Sequence, residues 1–248
     1  MNRYEPVPGR PVAIVTGGSA GLGLALTRRL IATGWHVVVD ARHVDRLTDA
    51  VRRLPGEEVT AVPGDVADAA HRAVLVDTAE RLGGIHLLVN NASVLGSSPQ
   101  PPLADLTADV LADVLAVNTV APHDLVRRAL PALSRARGCV INVSSDAAVE
   151  AYEGWGAYAA SKAALDQLSA VLAVEHPDLA VYAVDPGDMN TDLHQQAFPG
   201  EDITDLPSPE VVVPALLRLV TERPPSGRYR AADLLAGVPV TAPDEAVR

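Results

Sequence analysis

Six short runs rich in branched apolar residues punctuate this chain, and what lies between them limits the folds open to it. The runs are VAIVT at 12–16, HVVVD at 36–40, EVTAV at 58–62, HLLVN at 86–90, CVINVS at 139–144 and AVYAVD at 180–185. Most are apolar at consecutive positions, as a strand buried on both faces of a parallel sheet must be. The longer segments between them carry apolar residues at helical spacing. Leu22, Leu26 and Leu30 form one such stripe, and 73–82 another. This alternation implies βαβ crossovers and an α/β, doubly wound parallel sheet with helices on both faces. The Pro/Ser clusters at 97–102 and 206–209 read as loops, so 1–248 is expected to form one domain. Residues 188–207 hold few core residues, which suits either a substrate-covering loop or a plain surface excursion. SPEVVVPALLRLVTE is expected as a helix capped by Ser208, with Glu210 in its first turn.

Charge and cysteine usage narrow the partners. The formal net charge is −11, which argues against a nucleic-acid surface, since phosphate binding needs clustered Lys and Arg. Cys139 is the single cysteine, so no intrachain disulfide is possible, and a reducing cytoplasmic setting is expected. MNRYEPVPGR lacks the apolar stretch of a signal peptide, and no apolar run has the length of a membrane span. With no H-E-x-x-H and no Cys pair, no metal site is expected. His36 and His86 lie in or beside strands and read as structural; His194, in the 188–207 stretch, has a substrate contact as its alternative role.

The first run leads into TGGSAGLG, 16–23. Glycines at a strand-to-helix turn let the backbone approach a pyrophosphate, and the helix start adds free N–H groups and a positive dipole end. Gly17, Gly21 and Gly23 follow G-x-x-x-G-x-G spacing, which alone also suits an ordinary tight turn. The end of the second run tests which dinucleotide would fit. A carboxylate there would hold the ribose hydroxyls of NAD, and an arginine would hold the extra phosphate of NADP. If the strand runs to Ala41, then Ala41 faces the ribose, Arg42 follows it, and Asp40 turns to the other face; a shift of one residue reverses this. NADP(H) is therefore favoured, with NAD(H) possible and a solvated surface charge as the other reading of Arg42.

In YAASK, Tyr158 and Lys162 stand one helical turn apart. A phenol with an ordinary pKa near 10 is a poor base at neutrality. A neighbouring ammonium is expected to favour the phenolate. LVNNAS ends the fourth run, Asn118 sits in VLAVNTVAP, INVSS ends the fifth run, and VDPGDMNT closes the sixth. Together with TGGSAGLG and YAASK, this ordered set resembles the short-chain dehydrogenase/reductase family over about 11–232.

The resemblance implies a Rossmann-type sheet of about seven strands. It also implies an NAD(P)(H)-dependent oxidoreductase moving hydride between nicotinamide and a carbonyl or alcohol, with Tyr158 as general acid/base. In that pattern Lys162 holds the nicotinamide ribose, Ser145 donates to the substrate oxygen, and Asn118 keeps a water in a proton relay to the lysine. Cofactor contacts fall on Gly17, Ser19, Gly21, Leu22 and Gly23, on Asp65 and Val66, on Asn91 and Ala92, and on Pro186, Gly187, Met189 and Thr191. The pattern further implies a homodimer or homotetramer packed through helices at 108–135 and 157–175. Plainer roles exist for several of these residues: a surface pair for Tyr158 and Lys162, a helix distortion for Asn118, caps for Ser145, Asp65 and Thr191. Ser93 stands where the pattern has glycine, and would be strained if that position needs a positive φ. Ala20 stands where NADP-dependent relatives are often basic. GRYRAADLLAG lacks a glycine-rich close after the seventh strand, and the role of 233–248 is open.

Substrate choice is expected to rest on 94–103, 146–156 and 188–207, which hold Leu95, Tyr152, Trp155, Leu193 and Phe198 and suggest a partly apolar pocket. Asp146, Glu150 and Glu153 are expected at a solvated rim, with recognition of a cationic group as the alternative. Imine reduction, isomerisation, elimination, or a catalytically silent nucleotide-binding regulator would be compatible with the same fold.

Overall fold

The computed structural model describes residues 9–237. In chain order it contains β1 (Val12–Val15), α1 (Gly21–Ala32), β2 (His36–Ala41), α2 (Val44–Arg52), β3 (Val59–Pro63), α3 (Ala69–Arg81) and β4 (Leu87–Asn90). Then follow α4 (Ala108–Leu115), α5 (Ala121–Ala136), β5 (Cys139–Val143), α6 (Gly156–Glu175) and β6 (Ala180–Asp185). The last elements are α7 (Asp192–Ala197), α8 (Val213–Glu222), β7 (Gly227–Arg230) and α9 (Ala231–Leu235). All seven strands are parallel, in the order β3-β2-β1-β4-β5-β6-β7.

Side chains of a strand alternate between faces, so each β-run must satisfy two cores. Ala13, Val15, Val37, Val39 and Ile141 pack with Leu22, Leu26 and Leu30 of α1 and with Leu216 and Leu219 of α8. Val12, Ile14, Val38 and Val140 pack on the opposite face with Leu75 of α3 and Leu125 and Leu133 of α5. That double burial explains the unbroken apolar runs. The exception is β3, which is only partly buried because it lies at the sheet edge; Pro63 is tolerated at its end for the same reason.

Two expectations need correction. Ser208 makes no side-chain cap, and the segment after it forms a short 3₁₀ turn, Pro209–Val211, before α8 begins at Val213. Pro214 explains the break: it has no N–H to give and its ring crowds the carbonyl four residues back, so the α-helix can only start around it. The 188–207 stretch is likewise not plain loop, since α7 forms inside it, capped by Thr191, whose Oγ1 accepts from the His194 N–H at 3.2 Å. After β7 the chain closes with α9 rather than glycines; 238–248 lie outside the described residues.

The chain leaves β1 to build one half of the sheet through β2 and β3, then returns beside β1 at β4 to build the other half. In such sheets a crevice opens beyond the strand C-termini where the order reverses. Most of the candidate residues above follow a strand end or line that crevice; Asn118 lies behind it, between two helices.

Candidate active site

One cleft runs along the C-terminal edge of the sheet, from Arg42 at the end of β2 to Trp155 before α6. At one end is the turn between β1 and α1. Gly17 and Gly21 adopt positive φ, +69° and +53°, which β-carbon-bearing residues rarely do. A Cβ on Gly23 would lie 2.4 Å from the Gly17 carbonyl oxygen, so α1 and the turn touch backbone to backbone. Thr16 locks this turn to the end of β4: its hydroxyl oxygen accepts from the N–H groups of Asn91 (2.9 Å) and Ala92 (3.0 Å). Asn91 Nδ2 donates back to the Thr16 carbonyl at 2.7 Å. Helix α1 starts at Gly21 behind Ala20, which gives no side-chain cap, and has no acidic residue in its first turn. Its N-terminal field is therefore uncancelled and open to an anion. A cradle too tight for one Cβ, facing an uncapped helix start, fits a dinucleotide pyrophosphate.

β2 ends at Ala41, and Asp40, Ala41 and Arg42 all border the cleft, with the Asp40 carboxylate turned under the glycine turn. The buried Asp40 carboxylate accepts from the Gly17 N–H at 2.8 Å and pairs with His71 Nε2 at 3.1 Å. Each of its oxygens is thus engaged in bracing the turn. Among the described residues Arg42 has no carboxylate partner, whereas Arg46 one helical turn later is held by Asp192 at 2.6 Å. The Arg46–Asp192 pair bridges the cleft from α2 to α7, and the sequence did not suggest it; only the four-residue spacing from Arg42 hints at a second cation here. Asp65, Val66, Pro186, Gly187 and Met189 all line the cleft, as do Ser19 and Leu22. Asp65 also serves as a turn cap, accepting from the Ala67 N–H at 2.9 Å. The loop bearing Asp65 and Val66 is pinned by Arg72, which donates to the carbonyls of Val66 (2.7 Å) and Ala67 (2.8 Å) and to Asp124 (2.7 Å). Burial of Asp124 opposes its ionisation, but Arg128, Arg72 and Arg127 outweigh that and hold its carboxyl well below the usual range.

At the other end, Tyr158 and Lys162 are not a surface pair: they are 6% and 2% exposed. Lys162 Nζ donates to the Val143 carbonyl at 2.7 Å and lies 5.4 Å from the Tyr158 ring centre. Burial pushes the Lys162 ammonium down to about 8 and the Tyr158 phenol up to about 12. The expectation that the lysine lowers the tyrosine is thus not met in this state. Desolvation dominates both groups, and the hydroxyls of Ser93 and Ser145 are what favour the phenolate. Ser93 has ordinary backbone φ, so serine brings no strain there. Its hydroxyl, which the sequence pattern gave no reason to include, donates to Asn118 Oδ1 at 3.2 Å and stands beside the phenol.

Asn118 lies in a π-helical turn, Ala116–Val120, between α4 and α5. π-turns of this kind often mark functional sites. Its Oδ1 accepts from the Val94 N–H at 2.9 Å, and its Nδ2 donates to the Val94 carbonyl (2.9 Å) and to Ser161 (3.0 Å). Both polar atoms of that side chain are used as braces. Ser145 caps the short 3₁₀ turn Asp146–Ala148, accepting from the Ala147 N–H at 3.2 Å. The pocket wall beside Tyr158 is Leu95, Ala147, Trp155, Leu193 and Ala197, with Phe198 5.9 Å from Trp155. His194 stacks on Phe198 at 4.8 Å. His86 accepts from the Val12 N–H at 3.1 Å and is structural. Buried Cys139, its thiol pushed up to about 12, is unreactive.

A dinucleotide-sized cleft at a topological switch point, with a buried tyrosine–lysine pair at one end, defines a class of nucleotide-dependent enzymes. The model of the short chain dehydrogenase family matches residues 11–202, and the chain belongs to that family. Dehydrogenase/reductase SDR family member 4 of Pongo abelii is 39% identical over 182 residues, covering 71% of this chain and 63% of that relative. The match thus spans under two thirds of that protein's length. Among solved structures, the KRED1-Pglu enzyme has a TM-score of 0.80 at 30% identity, covering 88% of this chain and 99% of that one. A short chain dehydrogenase from Escherichia coli CFT073, complexed with NADPH, has a TM-score of 0.83 at 26% identity, covering 90% and 97%. Among the described residues no helix is long and apolar enough to cross a membrane.

Proposed function

We propose that this protein is an NADP(H)-dependent reductase of a carbonyl group, reversible to alcohol oxidation, with Tyr158 as its proton donor and acceptor. The observation that carries the reading is the burial of Tyr158 and Lys162 side by side at the strand-end cleft, where desolvation holds the phenol protonated. The nicotinamide, when bound, supplies a hydride to the carbonyl carbon. The electron pair of the C=O bond then moves to oxygen, which takes the Tyr158 proton and becomes the alcohol. Lys162, fixed by the Val143 carbonyl, is placed to attract the phenolate that remains and to hold ribose hydroxyls. Leu95, Trp155 and Phe198 orient an apolar substituent and exclude water. The reading is tested by incubating the protein with NADPH and a series of aryl ketones: absorbance at the nicotinamide band should fall, with the alcohol as product. No loss with any ketone would overturn it.

NADP(H) is favoured because Asp40 is occupied beneath the glycine turn and Arg42 is left without an anion. Arg42→Ala should weaken NADPH binding roughly 10- to 100-fold, as loss of a charged hydrogen bond implies, and leave NADH binding within about twofold. Titration of each dinucleotide by fluorescence checks this; an equal change for both would remove the NADP preference.

The reading extends to a homodimer or homotetramer in the cytoplasm. Leu168, Val171 and Val174 form an exposed row along α6. Three apolar side chains at i, i+3 and i+6 on one helix face suit a copy of the same surface. Sedimentation should give a dimer or larger, and Val171→Glu with Val174→Glu should give monomer; a monomeric parent protein would defeat the idea.

A further inference from the structure

Asp146 stands between the pocket and the exposed side chains of Tyr152 and Glu150. It is half-buried in the pocket, directly after Ser145. Ser145 Oγ lies 2.8 Å from Asp146 Oδ1, which also takes the Ala147 N–H at 2.8 Å. Burial opposes ionisation of this carboxyl, but the Ser145 and Tyr152 hydroxyls and the Ala147 N–H outweigh it and hold it below its ordinary range. An ionised carboxylate can only accept, and a serine has one proton. That proton can serve Asp146 or the Tyr158 oxygen but not both, and while it points to Asp146 the Ser145 hydroxyl faces the reacting centre with a lone pair.

The surrounding charge points the same way. Asp146 Oδ2 takes the Tyr152 O–H at 2.8 Å, and Glu150 faces the same phenol at 2.9 Å. One proton thus serves two carboxylates. Among the described residues neither carboxylate has a Lys, Arg or His within ion-pair distance. Arg228, whose guanidinium donates to the Ser145 carbonyl at 2.8 Å, is drawn instead to Asp166 at 2.9 Å and Asp185 at 3.7 Å. Asp146 also acts on Tyr158 as a like charge that disfavours the phenolate. Left alone, this arrangement opposes the negative charge that develops on a reduced carbonyl oxygen.

We propose that Asp146 is a specificity-determining residue, selecting ketones that carry a protonated amine within reach of its carboxylate. The inference rests on the carbonyl reduction proposed above. An ammonium N–H donated to Asp146 replaces the Ser145 proton there. The Ser145 hydroxyl is then free to turn and donate to the substrate oxygen, and the positive charge offsets the developing alkoxide. The ketone-side group packs on Trp155 and Phe198.

Three phenyl ketones of matched size test this near neutral pH with NADPH: β-dimethylaminopropiophenone (cationic), phenyl isopentyl ketone (neutral) and β-benzoylpropionate (anionic). The expected order of kcat/KM is cation, neutral, anion, with the first step about tenfold or more, as one partly desolvated charge pair allows. Asp146→Asn should bring the cation-to-neutral ratio of kcat/KM close to one, whatever it does to the absolute rates. Quenching of tryptophan fluorescence by each ketone without dinucleotide, measured in a Trp35→Phe background so that Trp155 is the reporter, should follow the same order and lose it when Asp146→Asn is added. Equal treatment of the three ketones by the parent protein, or a proportional fall for all three in Asp146→Asn, would overturn the inference while leaving carbonyl reduction standing. No turnover of any of them would remove carbonyl reduction and the inference together.

Discussion

Tyr158→Phe should lower kcat for ketone reduction roughly 10³-fold, within the range that loss of a positioned proton donor produces, while leaving NADPH affinity within about twofold. The two halves of that expectation have separate physical grounds. The ring stays, and with it the packing against Leu95 and Ala147 and the edge contact with Trp155 at 5.6 Å. The fold and the pocket wall should therefore be unchanged, and the melting temperature with them. Only the hydroxyl goes. Because burial holds that phenol up at about 12, it carries its proton throughout the neutral range and enters reduction as an acid, not as a base that must first be recharged. The phenol is buried, so no equally placed donor takes over its position, and the alkoxide would form without one. Stopped-flow single turnovers, with NADPH binding followed by fluorescence, separate the chemical step from binding. A variant that still reduces ketones at the parent rate would show that the proton comes from elsewhere and would sink the assignment of Tyr158.

The parts of this molecule legible in its sequence are those governed by local backbone rules. Strands buried on two faces must be apolar at nearly every position, so five of the seven strands announce themselves in this way and the edge strand β3 by its branched residues; β7, reading GRYR, does not, because its residues are only partly buried and Arg228 turns back toward Asp166 and Asp185. A glycine turn needing positive φ must be written in glycine, so the phosphate end is visible in TGGSAGLG. The spacing of Ser145, Tyr158 and Lys162 is likewise a property of one strand end and one helix. What escaped depends on residues far apart in the chain. Arg46 and Asp192 are 146 residues apart, and Asp40 and His71 are 31 apart; no periodicity links them. The ordering of acidities at Tyr158 and Lys162 escaped too, because an ion-pair argument from helical spacing omits desolvation, and at these exposures desolvation is the larger effect. Asp146 shows the same limit: next to Ser145 in sequence it reads as one more surface acid, and only the closing of Tyr152 and Ala147 around it makes it part of the pocket.

Gly23→Ala should cost the protein both stability and its dinucleotide. The added Cβ would sit 2.4 Å from the Gly17 carbonyl oxygen, 3.0 Å from the Gly17 carbonyl carbon and 2.6 Å from Asn91 Nδ2. Ordinary contact begins near 3.4 Å, so something must retreat by about 1 Å, which is 3.4 less 2.4. None of the three atoms is at the end of a free side chain. Gly17 is held by its N–H to Asp40, and Asn91 by its bond to the Thr16 carbonyl, so either α1 swings away from the turn or the turn opens. Overpacking of this kind costs about 1–3 kcal/mol. For a protein of this size that corresponds to a fall of roughly 2–4 °C in Tm per kcal/mol. The loss in binding should exceed what that instability explains, because an ångström of misplacement in a preorganised site is worth on the order of 10²-fold. Gly34→Ala separates the two effects. Gly34 has φ +92° but nothing within 4 Å of its would-be Cβ, so alanine there brings backbone strain of about 1–2 kcal/mol and no clash. Both variants should melt earlier; only Gly23→Ala should lose NADPH and NADH alike, since both share the pyrophosphate. If isothermal titration found Gly23→Ala binding NADPH as tightly as Gly34→Ala, the turn between β1 and α1 would not be where the pyrophosphate lies, and the cleft's orientation from Arg42 to Tyr158 would have to be abandoned.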